Sequence, residues 1–312
     1  MGVDDTRRTV DRTWLVACAA ALWGTDGLLR KPLADTLPAA SVVFWEHLII
    51  VALLVPLLVP AVRAFAAAGR RERIALLAIG IGPSAIAAVM FTAAFRLSDP
   101  VTPLVLQKLQ PVFAVLAAVA LLGERLRRGY FFFAVPALAG AWLLAFRDPT
   151  QVRVAALQAA LLALGAAVLW AAGTVLGRMV ATTMAPREVT TLRFAIGLPA
   201  AAAALLVTGA PVAVGWDNAV GLVLLAVIPG LLALSLYYLG LRATPAARAT
   251  LAELAFPVTA ALIGVGLLGA RLTWTQWLGF AIVVSSVTAL GWHERVRRDR
   301  PMVAPPREQV AV

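Results

Sequence analysis

What most constrains this chain is a recurrence of apolar blocks. Each is about 20 residues long, the length that crosses the hydrocarbon of a bilayer as a helix. Bounded by charged residues and Pro/Gly breaks, they fall at 14–33, 39–61, 74–94, 100–122, 129–146, 155–176, 188–208, 218–239, 247–269 and 273–292. The 312 residues are 62% hydrophobic and 14% charged, where soluble domains run nearer about 45–50% and 25%. No single globular core buries that excess, so a soluble enzyme, a disordered chain and a disulfide scaffold are excluded. The expected fold class is an all-α integral membrane protein with ten transmembrane helices. The first block is expected to stay as a membrane helix rather than be cleaved as a leader.

Charge placement orients such a chain. A net charge of +11 would suggest nucleic acid in a soluble protein, but here the basic residues lie between apolar blocks, as the positive-inside rule requires. With the N-terminus inside, 19 Lys and Arg fall on the cytoplasmic side, 6 opposite (Arg30, Lys31, Arg96, Arg147, Arg153 and Arg271), and Lys108 and Arg193 within spans. Both termini are therefore expected in the cytoplasm, with the chain in the cell (inner) membrane and no nucleic-acid partner. The segments 1–13 and 293–312 read as cytoplasmic tails, the second basic and disordered. Cys18 is the only cysteine, which excludes intrachain disulfides and Cys-based metal sites. Nothing separates a monomer from a homodimer.

The chain also repeats itself. PVFAVLAAVALLGERL (111–126) aligns without gaps on PVTAALIGVGLLGARL (257–272), 10 of 16 positions being identical at an offset of 146. In the same register Pro83 meets Pro229, and AALWGTDGLLRK (20–31) meets AVLWAAGTVLGR (167–178) at an offset of 147, pairing Trp23 with Trp170. Five spans per half is an odd number, so the second repeat (155–292) is expected to sit upside down relative to the first (14–146). Two related half-structures of opposite topology can open the space between them alternately to each side.

These residues bring a family into view. Two five-helix repeats, each opening on an ALW-like helix and closing on P-V-[FT]-A…LLG-[EA]-R-L, resemble the EamA-type transporters of the drug/metabolite transporter superfamily. The resemblance covers 14–292. It implies a basket of ten helices with a substrate cavity between the halves, and efflux of amino acids or other small metabolites. One departure is Ala270 where the first copy has Glu124.

Ionisable groups within spans are costly, by about 2.5–3.5 kcal/mol near the midplane, and each needs a partner, a wet cavity or a task. The candidates are Asp26, Glu46, Lys108, Arg193 and Glu253, with Gln107 and Gln110 as neutral companions. Glu46 and Arg193 occupy equivalent positions, an acid in one half and a base in the other. Lys108 is a compact ammonium suited to a carboxylate or a proton, in a chain whose basic residues are otherwise almost all arginine. Its alternative reading is a structural pair with Glu253. Pro83, Pro111, Pro229 and Pro257 are candidate helix breaks, since proline frees a carbonyl one turn earlier. Trp23, Trp170 and Tyr237 could line an amphipathic pocket, with Trp45 and Tyr238, or serve as interfacial aromatics. His47 reads as a satisfied buried imidazole.

These span charges sum to −1, Asp26, Glu46 and Glu253 against Lys108 and Arg193. That sum favours a zwitterion over phosphate cargo. No HExxH, phosphate loop or GxSxG is present, so neither a metal nor a cofactor is expected. The expected function is secondary transport of a small-molecule substrate, coupled to protons through Glu46 or Glu253. A lipid- or prenyl-modifying membrane enzyme and a membrane scaffold are the rival classes. The first would need clustered carboxylates or His near an interface, the second an appended soluble domain.

Overall fold

The computed structural model describes residues 13–122, 129, 131–146, 148–150, 153–180, 183–241 and 255–298. Among these residues every regular element is helical. Four helices among them are long and apolar enough to cross a membrane: Arg70–Leu97, Val154–Gly177, Pro186–Thr208 and Trp216–Tyr237. They match the blocks expected at 74–94, 155–176, 188–208 and 218–239. Ala39–Leu53 and Val55–Ala67 make a fifth if counted together. This is a multi-pass membrane protein.

Several blocks depart from single straight helices. The first divides into α1 (Thr13–Gly24) and α2 (Asp26–Thr36). At the joint the Thr25 hydroxyl donates to the Leu22 carbonyl at 2.6 Å. The glycines around it allow close approach: a Cβ on Gly24 would stand 2.9 Å from the Phe256 carbonyl oxygen, and one on Gly27 would stand 2.8 Å from Leu104 Cδ1. The second block divides into α3 (Ala39–Leu53) and α4 (Val55–Ala67), bent by 90° at Leu54. Pro56, in the first turn of α4, lacks the N–H that would continue α3. The fourth splits into α7 (Val101–Leu106), a 3₁₀ turn (Gln107–Leu109) and α8 (Gln110–Leu122). Asp99 starts it, accepting from the Val101 and Thr102 amides at 2.9 Å each.

The long helices keep their length by widening at proline. Between α5 (Arg70–Ile79) and α6 (Ala87–Leu97) lies a π-helical segment, Gly80–Ile86, with Pro83 at its centre. Between α12 (Ala219–Leu225) and α13 (Ala233–Leu241) lies another, Ala226–Leu232, centred on Pro229. Proline removes one amide and crowds the carbonyl four residues back, and the wider turn absorbs both. The two segments are offset by 146 residues at both ends. Each closes on an i−5 bond, Ala87 to Gly82 and Ala233 to Ile228. Pro83 and Pro229 thus widen their helices where breaks were expected.

The remaining helices are α9 (Phe131–Ala145), α10 (Val154–Val180), α11 (Pro186–Thr208), α14 (Ala255–Gly266) and α15 (Trp274–Arg298). α15 runs past residue 292, so the stretch expected as a disordered tail begins as helix. Packing joins the halves in matched pairs: α1 lies on α13 and α14 as α10 lies on α6 and α8, while α3 packs on α11 and α9 on α15. Two apolar clusters match likewise. Leu33 and Leu37 meet Leu222 and Leu225 in one, and Val180 and Met184 meet Leu76 and Ile79 in the other. Each of these four residues of the second cluster is 146 or 147 positions from its counterpart in the first.

A close backbone seam lies between α9 and α15. A Cβ on Gly279 would stand 2.6 Å from the Gly140 carbonyl oxygen and 2.7 Å from the Leu144 amide nitrogen. The buried Gln276 amide donates to the Leu144 carbonyl at 3.1 Å. Small residues that let backbones touch are the usual means of joining helices in lipid, where no hydrophobic force acts between them. Gly279→Ala is therefore expected to destabilise the protein by about 1–3 kcal/mol. Gly266→Ala, whose Cβ would meet no described atom within 4 Å, should show no loss. Melting temperatures of the purified variants in detergent check both.

Candidate functional site

The interior of the first half is organised by Arg30, which the loop count had placed outside. Because α2 extends to Thr36, Arg30 is carried inward and is only 5% exposed, with Asp26 and Glu46 at 8% each. Asp26 and Arg30 are four apart on one helical face. Arg30 Nε and Nη2 donate to the two Asp26 oxygens at 2.7 and 2.9 Å. Glu46, from α3, receives a second fork, from Nη1 at 3.1 Å and Nη2 at 3.2 Å. Nη1 also donates to Thr92 Oγ1 of α6 at 2.9 Å. A guanidinium has five N–H donors, and all five are used. The Phe91 ring lies 5.8 Å from Arg30 Cζ.

Two carboxylates sharing one guanidinium leave one formal negative charge in the cluster. Glu46 is the more loosely held acid by both bond lengths. It faces the second half: a Cβ on Gly230, in the second π segment, would stand 3.9 Å from Glu46 Oε1. Next to Glu46, His47 is buried and satisfied. Its Nδ1–H donates to the Val43 carbonyl, and its Nε2 meets the Ser84 hydroxyl of the first π segment, each at 2.9 Å. Gly197 of α11 leaves room for this pair, since a Cβ there would stand 2.8 Å from Nε2.

Aromatic pairs join the halves on either side of this cluster. Trp23 of α1 meets Tyr237 of α13 with ring centroids 5.0 Å apart, and Trp170 of α10 meets Phe91 of α6 at 5.0 Å. Trp23 and Trp170 are equivalent positions, as are Phe91 and Tyr237. The Trp170 indole also donates to the Pro83 carbonyl at 2.8 Å, inside the first π segment. Trp45 instead donates to the Val212 carbonyl, an exposed contact typical of an interfacial ring.

The other candidates are placed less closely. Lys108, in the 3₁₀ turn, holds its ammonium 3.9 Å from the centroid of Phe256, joining the fourth block to α14. Gln107 and Gln110 lie half-buried beside it. Pro111 is the second residue of α8 and Pro257 the third of α14. Arg193 of α11 lies with its Cζ 5.9 Å from the Phe194 ring. Glu253 lies outside the described residues. Arg30, Thr92, Phe91 and Ser84 were missed in the sequence. The i, i+4 spacing of Asp26 and Arg30 was the signal available for the first, and the register of Tyr237 for Phe91. With Arg30 inside, the span charges sum to zero, Asp26, Glu46 and Glu253 against Arg30, Lys108 and Arg193. The net charge therefore gives no argument against an anionic cargo.

Apolar helices around a buried, hydrogen-bonded charge cluster define a membrane protein with polar chemistry inside its bundle. The EamA-like transporter family matches the chain over residues 13–146 and again over 157–292, and the chain belongs to that family. Its relatives carry transporter names. The riboflavin transporter ImpX of Fusobacterium nucleatum is 30% identical over 306 residues, spanning 88% of this chain and 95% of that protein. The uncharacterized transporter YwfM of Bacillus subtilis is 31% identical over 185 residues, 56% of this chain and 58% of that protein. A solved crystal structure at 21% identity superposes with a TM-score of 0.59 over 93% of this chain and 99% of the other, a likeness of fold alone.

Removing one partner of a buried ion network leaves uncompensated charge and costs about 3–5 kcal/mol. Arg30→Met is expected to lower stability by that amount. Adding Asp26→Asn and Glu46→Gln to the same protein should restore most of the loss. Thermal unfolding of the purified single and triple variants checks the pair of outcomes.

Proposed function

We propose that this transporter is a secondary carrier that exports a small amphipathic metabolite, such as an amino acid, by alternating access between two inverted five-helix halves. The observation that carries this reading is the matched architecture across the halves. Equivalent π segments, equivalent Trp–aromatic pairs and equivalent apolar clusters surround a buried charge cluster that lies in one half and faces the other. Halves built alike can exchange conformations, and that exchange is what moves a solute. Both termini then lie in the cytoplasm, with ten spans in the cell membrane.

Glu46 is the proposed coupling group. It is the weaker-held acid of a cluster with one carboxylate in excess, and it points at the second half's π segment. A proton or a substrate ammonium arriving there meets a carboxylate without first dismantling the Asp26–Arg30 fork. A second reading, a flat-ringed solute of the flavin kind, is favoured by the name of the relative that this chain matches over 95% of that protein's length. The two Trp–aromatic pairs offer such a ring apolar faces.

Two experiments test this. Substrate accumulation in inside-out vesicles should fall at least about tenfold for Glu46→Gln, with loss of its pH dependence, a size usual for proton-transfer groups. Flux that survives collapse of both ΔpH and membrane potential removes proton coupling. For the inversion, single cysteines in the first turn of α5 (70–73) and at Asp217 should label from opposite sides of the membrane. Labelling from one common side would sink it.

A further inference from the structure

Each π segment passes over one carbonyl. Ala87 reaches back five residues to Gly82, and Ala233 reaches back five to Ile228. The acceptors an α-helix would use, the carbonyls of Pro83 and Pro229, thereby lose their usual donor. Both prolines are buried, and a carbonyl inside an apolar bundle needs a donor from elsewhere in the protein. At Pro83 that donor crosses between the halves: the Trp170 indole N–H of α10 donates to the carbonyl at 2.8 Å.

The second half has the same parts. α1 packs on the second π segment as α10 packs on the first. Trp23 stands on α1 where Trp170 stands on α10, at an offset of 147, and both rings are partly buried in one apolar cluster. The bond itself is missing. Trp23 stacks on Tyr237 with the rings 51° apart, where Trp170 meets Phe91 at 70°. Among the described residues the Trp23 indole has no acceptor, and no side chain donates to the Pro229 carbonyl. One inter-half bond is made and its mirror stands open.

We propose that Trp170–Pro83 and Trp23–Pro229 are alternative latches of the transport cycle, one closed in each of its two states, with Trp23 and Trp170 as the positioning residues. Halves of inverted topology interconvert by exchanging conformations. That exchange gives Trp23 the geometry Trp170 has here, so its indole takes the Pro229 carbonyl while Trp170 releases Pro83 and keeps its stack on Phe91. The two states then hold equal numbers of these bonds, and neither becomes a trap. The latch closed here ends one residue from Ser84, whose hydroxyl meets His47 beside Glu46, which sets it next to the proposed coupling group. The inference rests on the reading of alternating access and adds the bonds that hold each state.

The test replaces each indole by phenylalanine, which keeps a ring and removes the N–H, and reads the state from a single cysteine at Gly177. One turn earlier on α10, a Cβ on Gly173 would stand 2.7 Å from Pro83 Cγ, while a Cβ on Gly177 would meet no described atom within 4 Å. A cysteine there stands on the face turned to the first half, with room for a reagent. In full-length protein carrying Cys18→Ser and Gly177→Cys, a membrane-impermeant thiosulfonate is applied to right-side-out and to inside-out vesicles. The ratio of the two labelling rates measures the balance of states. Trp170→Phe should move that ratio about fivefold one way and Trp23→Phe about fivefold the other, the size set by one hydrogen bond. The double variant should return near the parent, which guards against misfolding as the cause of either shift. Rings that merely pack would give no such opposition. Labelling from both sides at a ratio that all three variants leave within about twofold of the parent overturns the latches while alternating access stands. Shifts in one common direction overturn them as well. A cysteine that labels from one side only, or from neither, in parent and variants alike removes alternating access and the latches with it.

Discussion

A guanidinium inside an apolar bundle has to spend all of its hydrogen-bonding capacity on protein, because lipid offers it nothing. Arg30 meets that demand with two carboxylate forks and one hydroxyl, drawn from three segments of the chain. Much of the first half follows from it. The joint at Thr25 and the extension of α2 to Thr36 put Asp26 and Arg30 on one inward face. The turn into α3 then returns Glu46 to the same depth, and α6 supplies Thr92 above Phe91. Unpaired, any of these charges would be among the costliest groups in the molecule.

The second half keeps the frame and drops this network. Glycines stand at the mirror positions of Asp26 and Arg30, and arginine stands at that of Glu46. What stays common is apolar or geometric: the proline-centred π segments, the paired aromatics, and the clusters formed by Leu33 with Leu222 and Val180 with Leu76. The scaffold is thus duplicated and the polar chemistry is particular to each half, the division expected where function is grafted onto a shared fold.

The sequence showed the scaffold more readily than the site. Apolar block length located the long helices to within a few residues, because spanning hydrocarbon is a coarse requirement that composition meets over a whole segment. Pro83 and Pro229 were visible as equivalent special points, but whether a proline breaks a helix or widens it depends on the packing that surrounds it. The 90° bend at Leu54 was hidden for a related reason: α3 and α4 are equally apolar, so no change of composition marks their junction. Arg30, near the end of the first apolar block, was counted on the outer side because a charge-counting rule treats an arginine there as external. Its burial depends on partners 16 and 62 residues away, a distance at which local pattern carries no information. The aromatic pairs were half-legible: Trp23, Trp170 and Tyr237 stood out, while Phe91 became visible only as the register mate of Tyr237.

The backbone contact between α9 and α15 limits how the molecule can move. Gly140 and Gly279 are flanked by bulkier neighbours, Leu143 and Ile282, which would stand 2.9 Å from a Cβ on the glycine of the opposite helix. Sliding one helix along the other, or rolling one over the other, would drive those side chains into slots that admit only hydrogen. The seam therefore pins α9 and α15 to one another, so that the last helices of the two halves are tied at this line of contact.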